Sequence, residues 1–162
     1  MAVESNIKSD AIQAMEADPG NRLAVTRRGG RVRYAEGIVT TTGTTTTSGS
    51  TYRAVRLPSN ARVVQGSVQG IGGIDLPNVS AGAAHATDSG ISDGDAFATL
   101  LDIDDTGDHF FAGHVSESGD RRLWQVAGAS ANPGGEIDVL LTLAADAVAA
   151  GQFMVRVWYV VD

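Results

Sequence analysis

The C-terminal part of the chain is written in a period of two. In QFMVRVWYVVD, Phe153, Val155, Val157 and Tyr159 fall on one side of an extended backbone, opposite Met154, Arg156, Trp158 and Val160. In EIDVLLTLAA the same spacing puts Ile137, Val139 and Leu141 on one face. Strict alternation is the signature of a half-buried strand, because successive side chains leave a strand on opposite sides. Upstream, TYRAVRL offers Tyr52, Ala54 or Val55, and Leu57 as inward residues, and Pro58-Ser59-Asn60 supplies turn chemistry. ARVVQGSVQGIGGIDL alternates more loosely through Val64, Ser67 or Val68, and Ile71, with glycines that suggest bulges.

The remaining segments read in the same terms. Residues 77–95, PNVSAGAAHATDSGISDGD, read as loop. AFATLLDI and RRLWQVAG read as strands, and DDTGDHFFAGHVSESGD as a loop with a short helical turn around Phe110–Gly113. That makes about eight strands of roughly 5 to 9 residues separated by turn signals. Helical patterns do not alternate with them, so a parallel α/β fold is disfavoured. The expected fold is all-β, an antiparallel β-sandwich or jelly roll. With 162 residues the chain suits one domain with an appended arm.

The arm is expected over residues 1–50, and the β domain over 51–162. Residues 1–20 carry a weak helical pattern (Ile7, Ala11, Ile12, Ala14, Met15) that Pro19-Gly20 stops. Residues 22–39 read as a hairpin turning at Gly29-Gly30. The threonine-rich stretch TTTGTTTTSGSTY reads as an exposed strand or a tether.

Charge divides the chain. Residues 1–62 hold nine basic groups against five acidic ones, and residues 63–162 hold three against fourteen. Five arginines lie in RLAVTRRGGRVR: Arg22, Arg27, Arg28, Arg31 and Arg33, with Tyr34 beside them. Arginine outnumbers lysine eleven to one, which favours planar, bidentate contacts to carboxylates. These six residues are the candidate partner interface, facing an acidic surface of a neighbouring copy or another protein. Solvation and internal pairing between the two halves is the alternative reading. The net charge of −7 and the scarcity of interleaved aromatics argue against nucleic acid.

Chemistry finds little support. The chain has no cysteine, so it has no disulfide framework, thiol nucleophile or thiolate metal site. No apolar run reaches the ~18 residues of a membrane span, and the polar start lacks a signal-peptide core, so synthesis in a cytoplasm is expected. His109 and His114 are five apart, not at the helical spacing of a zinc pair, although Asp104 or Asp108 could join them. Counted from Asp102, DIDDTGD begins like a calcium loop, but its twelfth position is Gly113, not a glutamate. No G-x-S-x-G elbow or phosphate-binding loop is present. The expectation is a non-enzyme without metal or cofactor. Trp124 and Trp158 sit in apolar strand patterns, where packing is favoured over a carbohydrate platform.

Three segments resemble small virion proteins of tailed bacteriophages. STYRAVRLPSNARVVQGSV resembles the Leu-Pro strand end, turn and Ala-Arg-Val strand that open their β domain. DIDDTGDHFFAGHVSESG is similar to their middle, and LLTLAADAVAAGQFMVRVWYVVD to their last hairpin. The resemblance spans about residues 50–162. It implies a capsid decoration (cement) protein on the virion surface, bridging major capsid proteins and forming a homo-oligomer, with a trimer favoured. Two rivals remain: a tail, collar or head-fibre component, and a free carbohydrate- or cell-surface-binding module.

Overall fold

The computed structural model describes residues 31–41, 48–104, 106–111, 121–146, 148–149 and 151–161. Eight strands run through them: β1 (Arg33–Thr40), β2 (Thr51–Pro58), β3 (Ala61–Ile71), β4 (Leu76–His85), β5 (Ser92–Ile103), β6 (Asp108–Phe111), β7 (Glu136–Leu143) and β8 (Gln152–Val161). One four-residue helix, α1 (Leu123–Val126), lies between β6 and β7. The strands form two antiparallel sheets of four, ordered β1-β8-β3-β6 and β2-β7-β4-β5. The first strand pairs with the eighth, the second with the seventh, the third with the sixth and the fourth with the fifth. That is one long antiparallel hairpin wrapped into a sandwich, the jelly-roll order.

The core fills the space between the sheets. Ile137, Val139, Leu141 and Leu143 of β7 face Phe153, Val155 and Val157 of β8, all essentially buried. Here the period-two pattern and the observed burial agree. In β2 and β3 a bulge breaks it. In β2, Arg53 pairs with Leu140 and Val55 with Val139, so Ala54 is an extra residue. Tyr52 and Leu57 can then both face inward although they differ in parity. In β3 the extra residue is Val64, between Val63 and Gln65. Val63 and Val68 are buried, whereas Val64 and Ile71 are only half-buried.

Four expectations are corrected. Residues 77–95 are not a loop: they hold most of β4 and the start of β5. Ala81, Gly82, Ala83 and Ala84 carry no visible alternation, yet they are buried because small side chains let the backbone of β5 come close. A Cβ on Gly82 would stand 2.1 Å from the Asp93 carbonyl oxygen, where four residues of β5 (94–97) bulge opposite Gly82. Next, Asp108–Phe111 is a strand and not a helical turn, and Phe111 crosses over Gly66 of β3, its register partner. RRLWQVAG forms α1, whose first turn is closed by the Arg122 N–H donating to the Gln125 side chain at 2.9 Å. Leu123 and Val126 are buried and α1 packs on β3 and β4.

The fourth correction concerns the arm. Residues 33–40 are β1, paired with β8 from Arg33–Tyr159 to Thr40–Gln152, so they belong to the sandwich. Their inward residues are small, which hides a core-facing pattern. A Cβ on Gly37 would stand 2.0 Å from the Ala54 carbonyl oxygen of β2, so β1 and β2 close that edge in near-backbone contact. Residues 22–30 of the expected Arg-rich hairpin, the start of the arm and most of the threonine tract lie outside the described residues.

Candidate functional site

Inverted patterning marks the outer face of the β1-β8-β3-β6 sheet. On β1 the small residues Ala35 and Gly37 point inward, and Tyr34 and Ile38 point out, 48% and 61% exposed. The register continues these rows across the sheet. Tyr34 pairs with Trp158, and Trp158 with Gln65. Ile38 pairs with Met154, and Met154 with Gln69. At the far edge Phe110 of β6 stands opposite Ser67 and is 59% exposed. Val32, also exposed, immediately precedes β1. Of the large hydrophobic residues exposed in the described structure, only Val148 belongs to another region, the turn between β7 and β8. A concentration of exposed apolar and aromatic side chains on one sheet face marks an interaction surface.

Two polar side chains of this face are paired within it. Arg156, near the centre, donates to Asp108 at 3.0 Å and to Gln69 at 3.1 Å. The Tyr34 hydroxyl donates to Glu36, which holds the phenol above its ordinary pKa. The Tyr34 and Trp158 rings lie 5.4 Å apart at 53°. Pairing charges within the face lowers the cost of covering them, because a charge buried without a partner is the expensive case.

Of the six expected interface residues, Arg22, Arg27 and Arg28 lie outside the described residues. Arg31 and Arg33 are exposed where β1 begins, and Tyr34 sits on the face itself. The structure therefore sets Tyr34 on one face with Trp158, Ile38, Met154 and Phe110, which stand apart from the arginine cluster in the sequence. The signal was present in YAEGIV, where the large residues alternate with Ala35, Gly37 and Val39.

The acidic segments build turns. The Asp104 side chain accepts from the Thr106 amide and hydroxyl and lies 3.2 Å from His109 Nε2. The Thr106 hydrogen bonds come first among the causes that hold its carboxyl below the ordinary range, and the bond to His109 adds to them. Asp108 turns to Arg156 instead, so the calcium-like carboxylates do not converge. His114 lies outside the described residues. Among the described residues no three His, Asp or Glu side chains gather to hold a metal ion, and no helix is long and apolar enough to cross a membrane. His85 is a structural residue: its Nδ1 accepts from the Asp88 amide at 3.0 Å, and its Nε2 donates to the Gly134 carbonyl at 3.2 Å. Trp124 sits half-buried on α1.

The opposite sheet carries a buried carboxylate. Asp138 of β7 is 2% exposed and is held by Arg53 at 2.8 Å and Arg56 at 2.7 Å. Arginines three apart in a regular strand point to opposite faces. The bulge at Ala54 puts both on one side. Burial pushes the Asp138 carboxyl up, but the hydrogen bonds and charges of Arg56 and Arg53 together outweigh it and hold the carboxyl below its ordinary pKa. This cluster ties β2 to β7 and leaves no free group for chemistry.

No family model matches the chain, and no curated protein matches it. Solved structures do. The chain is similar to one in the capsid of Ralstonia phage GP4, with a TM-score of 0.55, 14% identity, and coverage of 82% of this chain and 86% of that one. It is also similar to a chain of the cyanophage Pam1 capsid asymmetric unit, with a TM-score of 0.53, 21% identity, and coverage of 90% and 96%. At these identities the likeness is one of fold.

Proposed function

We propose that this chain is a structural component of a tailed-phage capsid that decorates and stabilises the shell by bridging major capsid proteins, without catalysis. The observation that carries this reading is the near end-to-end match of the jelly roll to chains of two phage capsids. Similar shares of both partners are covered in each comparison, so the matched chains are about as long as this one. The virion-protein resemblance of residues 50–162 points the same way. The mechanism is physical. Sheet-mediated contacts tie neighbouring capsid proteins so that shell expansion or internal DNA pressure does not part them. The segment bearing Arg22, Arg27, Arg28, Arg31 and Arg33 adds contacts to acidic capsid loops. Small oligomers, a trimer among them, strengthen each contact through effective concentration.

The test is a count of this protein per purified virion against the major capsid protein. A ratio between equality and about one to three supports decoration. A ratio of about a dozen copies per particle assigns the chain to a collar or tail, and absence from particles overturns the virion reading. One observation favours a carbohydrate-binding module: the exposed Tyr34 ring beside Trp158. Their tilt leaves no flat shared platform, and glycan-array binding abolished by Tyr34→Ala would be needed to establish it.

A further inference from the structure

We infer that the open edge of β1 is a strand-addition site for an extended segment of another protein, one that carries carboxylates where it passes Arg31 and Arg33. Who that protein is rests on the capsid reading; the site does not. It follows from the ladder. The Thr41 amide donates to the Gly151 carbonyl at 2.9 Å, one step past the Thr40–Gln152 pair. Opposed residues of an antiparallel pair alternate between bonded and non-bonded, so the odd-numbered residues of β1 bond to β8. The N–H and C=O groups of Tyr34, Glu36, Ile38 and Thr40 therefore turn to the other side. β1 is the last strand of its sheet, and among the described residues nothing hydrogen-bonds to those groups.

The other three sheet edges are blunted. β2 is bulged at Ala54 and ends in Pro58, β5 shifts register three times against β4, and β6 has only four residues. Bulges, proline and shortness are the devices that keep an edge from accepting a foreign strand. β1 has none of them: its eight residues keep one register from Arg33 to Thr40. Its one carboxylate, Glu36, already accepts from the Tyr34 hydroxyl. Such an edge holds an extended peptide by main-chain bonds, and alternate side chains, here Tyr34 and Ile38, select its sequence.

Charge selects the occupant. Arg31 and Arg33 are exposed where the strand begins, share one alternation, and have no ion-pair partner among the described residues. Opposite charges facing each other on paired strands attract, and like charges repel. A strand of this same chain folded back at Gly29-Gly30 would set Arg28 opposite Arg31. A foreign strand with Asp or Glu at that end meets both arginines favourably.

The test uses the full chain. Amide exchange of the free protein, followed by NMR, should be slow at Ala35, Gly37 and Val39 and fast at Tyr34, Glu36, Ile38 and Thr40. A displayed library of random dodecapeptides, selected on the immobilised protein, should yield β-branched sequences with acidic residues toward one end. Their binding should weaken as salt is raised and should slow exchange at the four even-numbered residues. Ile38→Pro removes an outward N–H without touching the β8 ladder, and should weaken binding at least about tenfold. Ile38→Thr, which keeps that N–H, should retain most of it. Arg31→Glu combined with Arg33→Glu should weaken it as well. Circular dichroism would establish that each variant is folded. Slow exchange at all eight residues of the free protein would mean that this chain or a second copy already fills the edge, and overturns the inference. So does a library that yields no binder, or binders that Ile38→Pro leaves unchanged. Each of these failures leaves the capsid reading standing, and absence of the protein from virions leaves the edge site standing.

Discussion

Tyr34 and Trp158 are register partners at the edge of the sheet, and their rings meet on its outer side at 5.4 Å. The contact fastens β1 to β8 from outside, while inside β1 offers only small and half-buried residues to the core. An aromatic cross-strand pair contributes about 0.5–1 kcal/mol beyond the area that it covers. A double-mutant cycle of Tyr34→Ala and Trp158→Ala in urea denaturation should return a coupling of that size. Independent effects of the two substitutions would mean that the rings only happen to be near each other.

The Asp138 clamp predicts a destabilised variant. Asp138→Asn keeps the shape but removes the charge that both arginines address. Arg53 and Arg56 are about half exposed and can rehydrate, so the loss should be moderate, about 2 kcal/mol at neutral pH.

The same group fixes a pH dependence. Its folded pKa lies below the ordinary value of about 3.9. Its contribution is therefore complete above that ordinary value and is lost as pH falls through the folded pKa. Wild type and Asp138→Asn should differ most above pH ~5 and converge in acid. A difference in stability that stayed constant down to pH ~2 would contradict the assignment.

A backbone carbonyl packed on Gly37 and an aromatic ring packed on Gly66 leave no room for a Cβ at either. Gly37→Ala would drive a methyl group into the Ala54 carbonyl, and Gly66→Ala would displace the Phe111 ring. Each should cost about 2 kcal/mol or more, measured by thermal or urea unfolding. Gly107→Ala meets nothing within 4 Å and should be close to neutral. Equal tolerance at all three positions would mean that neither the β1–β2 approach nor the seat of Phe111 over Gly66 is as described.

The legible parts of this fold were those with large alternating side chains. Ile137, Val139 and Leu141, like Phe153, Val155 and Val157, declare both their strands and their buried faces. β4 was hidden because Ala81, Gly82, Ala83 and Ala84 fill a tight space without an apolar rhythm. The bulges at Ala54 and Val64 reset the parity midway through β2 and β3, which is why inward residues there were ambiguous. Four residues are too few to show a helical period, so α1 resembled a strand. At the candidate surface, Tyr34 stood out for its arginine neighbours. Phe110, Ile38 and Trp158 needed the register, because only strand order brings residues from three separate parts of the chain onto one face.

The central claim, that this protein reinforces a capsid, is tested most directly by adding it back. Purified full-length protein would be mixed with virions assembled without it, and DNA release followed by a dye on heating. The account predicts saturable binding at many sites per particle and release at a higher temperature than in the untreated particles. Particles that bind none of it, or that bind it and release DNA at an unchanged temperature, would contradict the account.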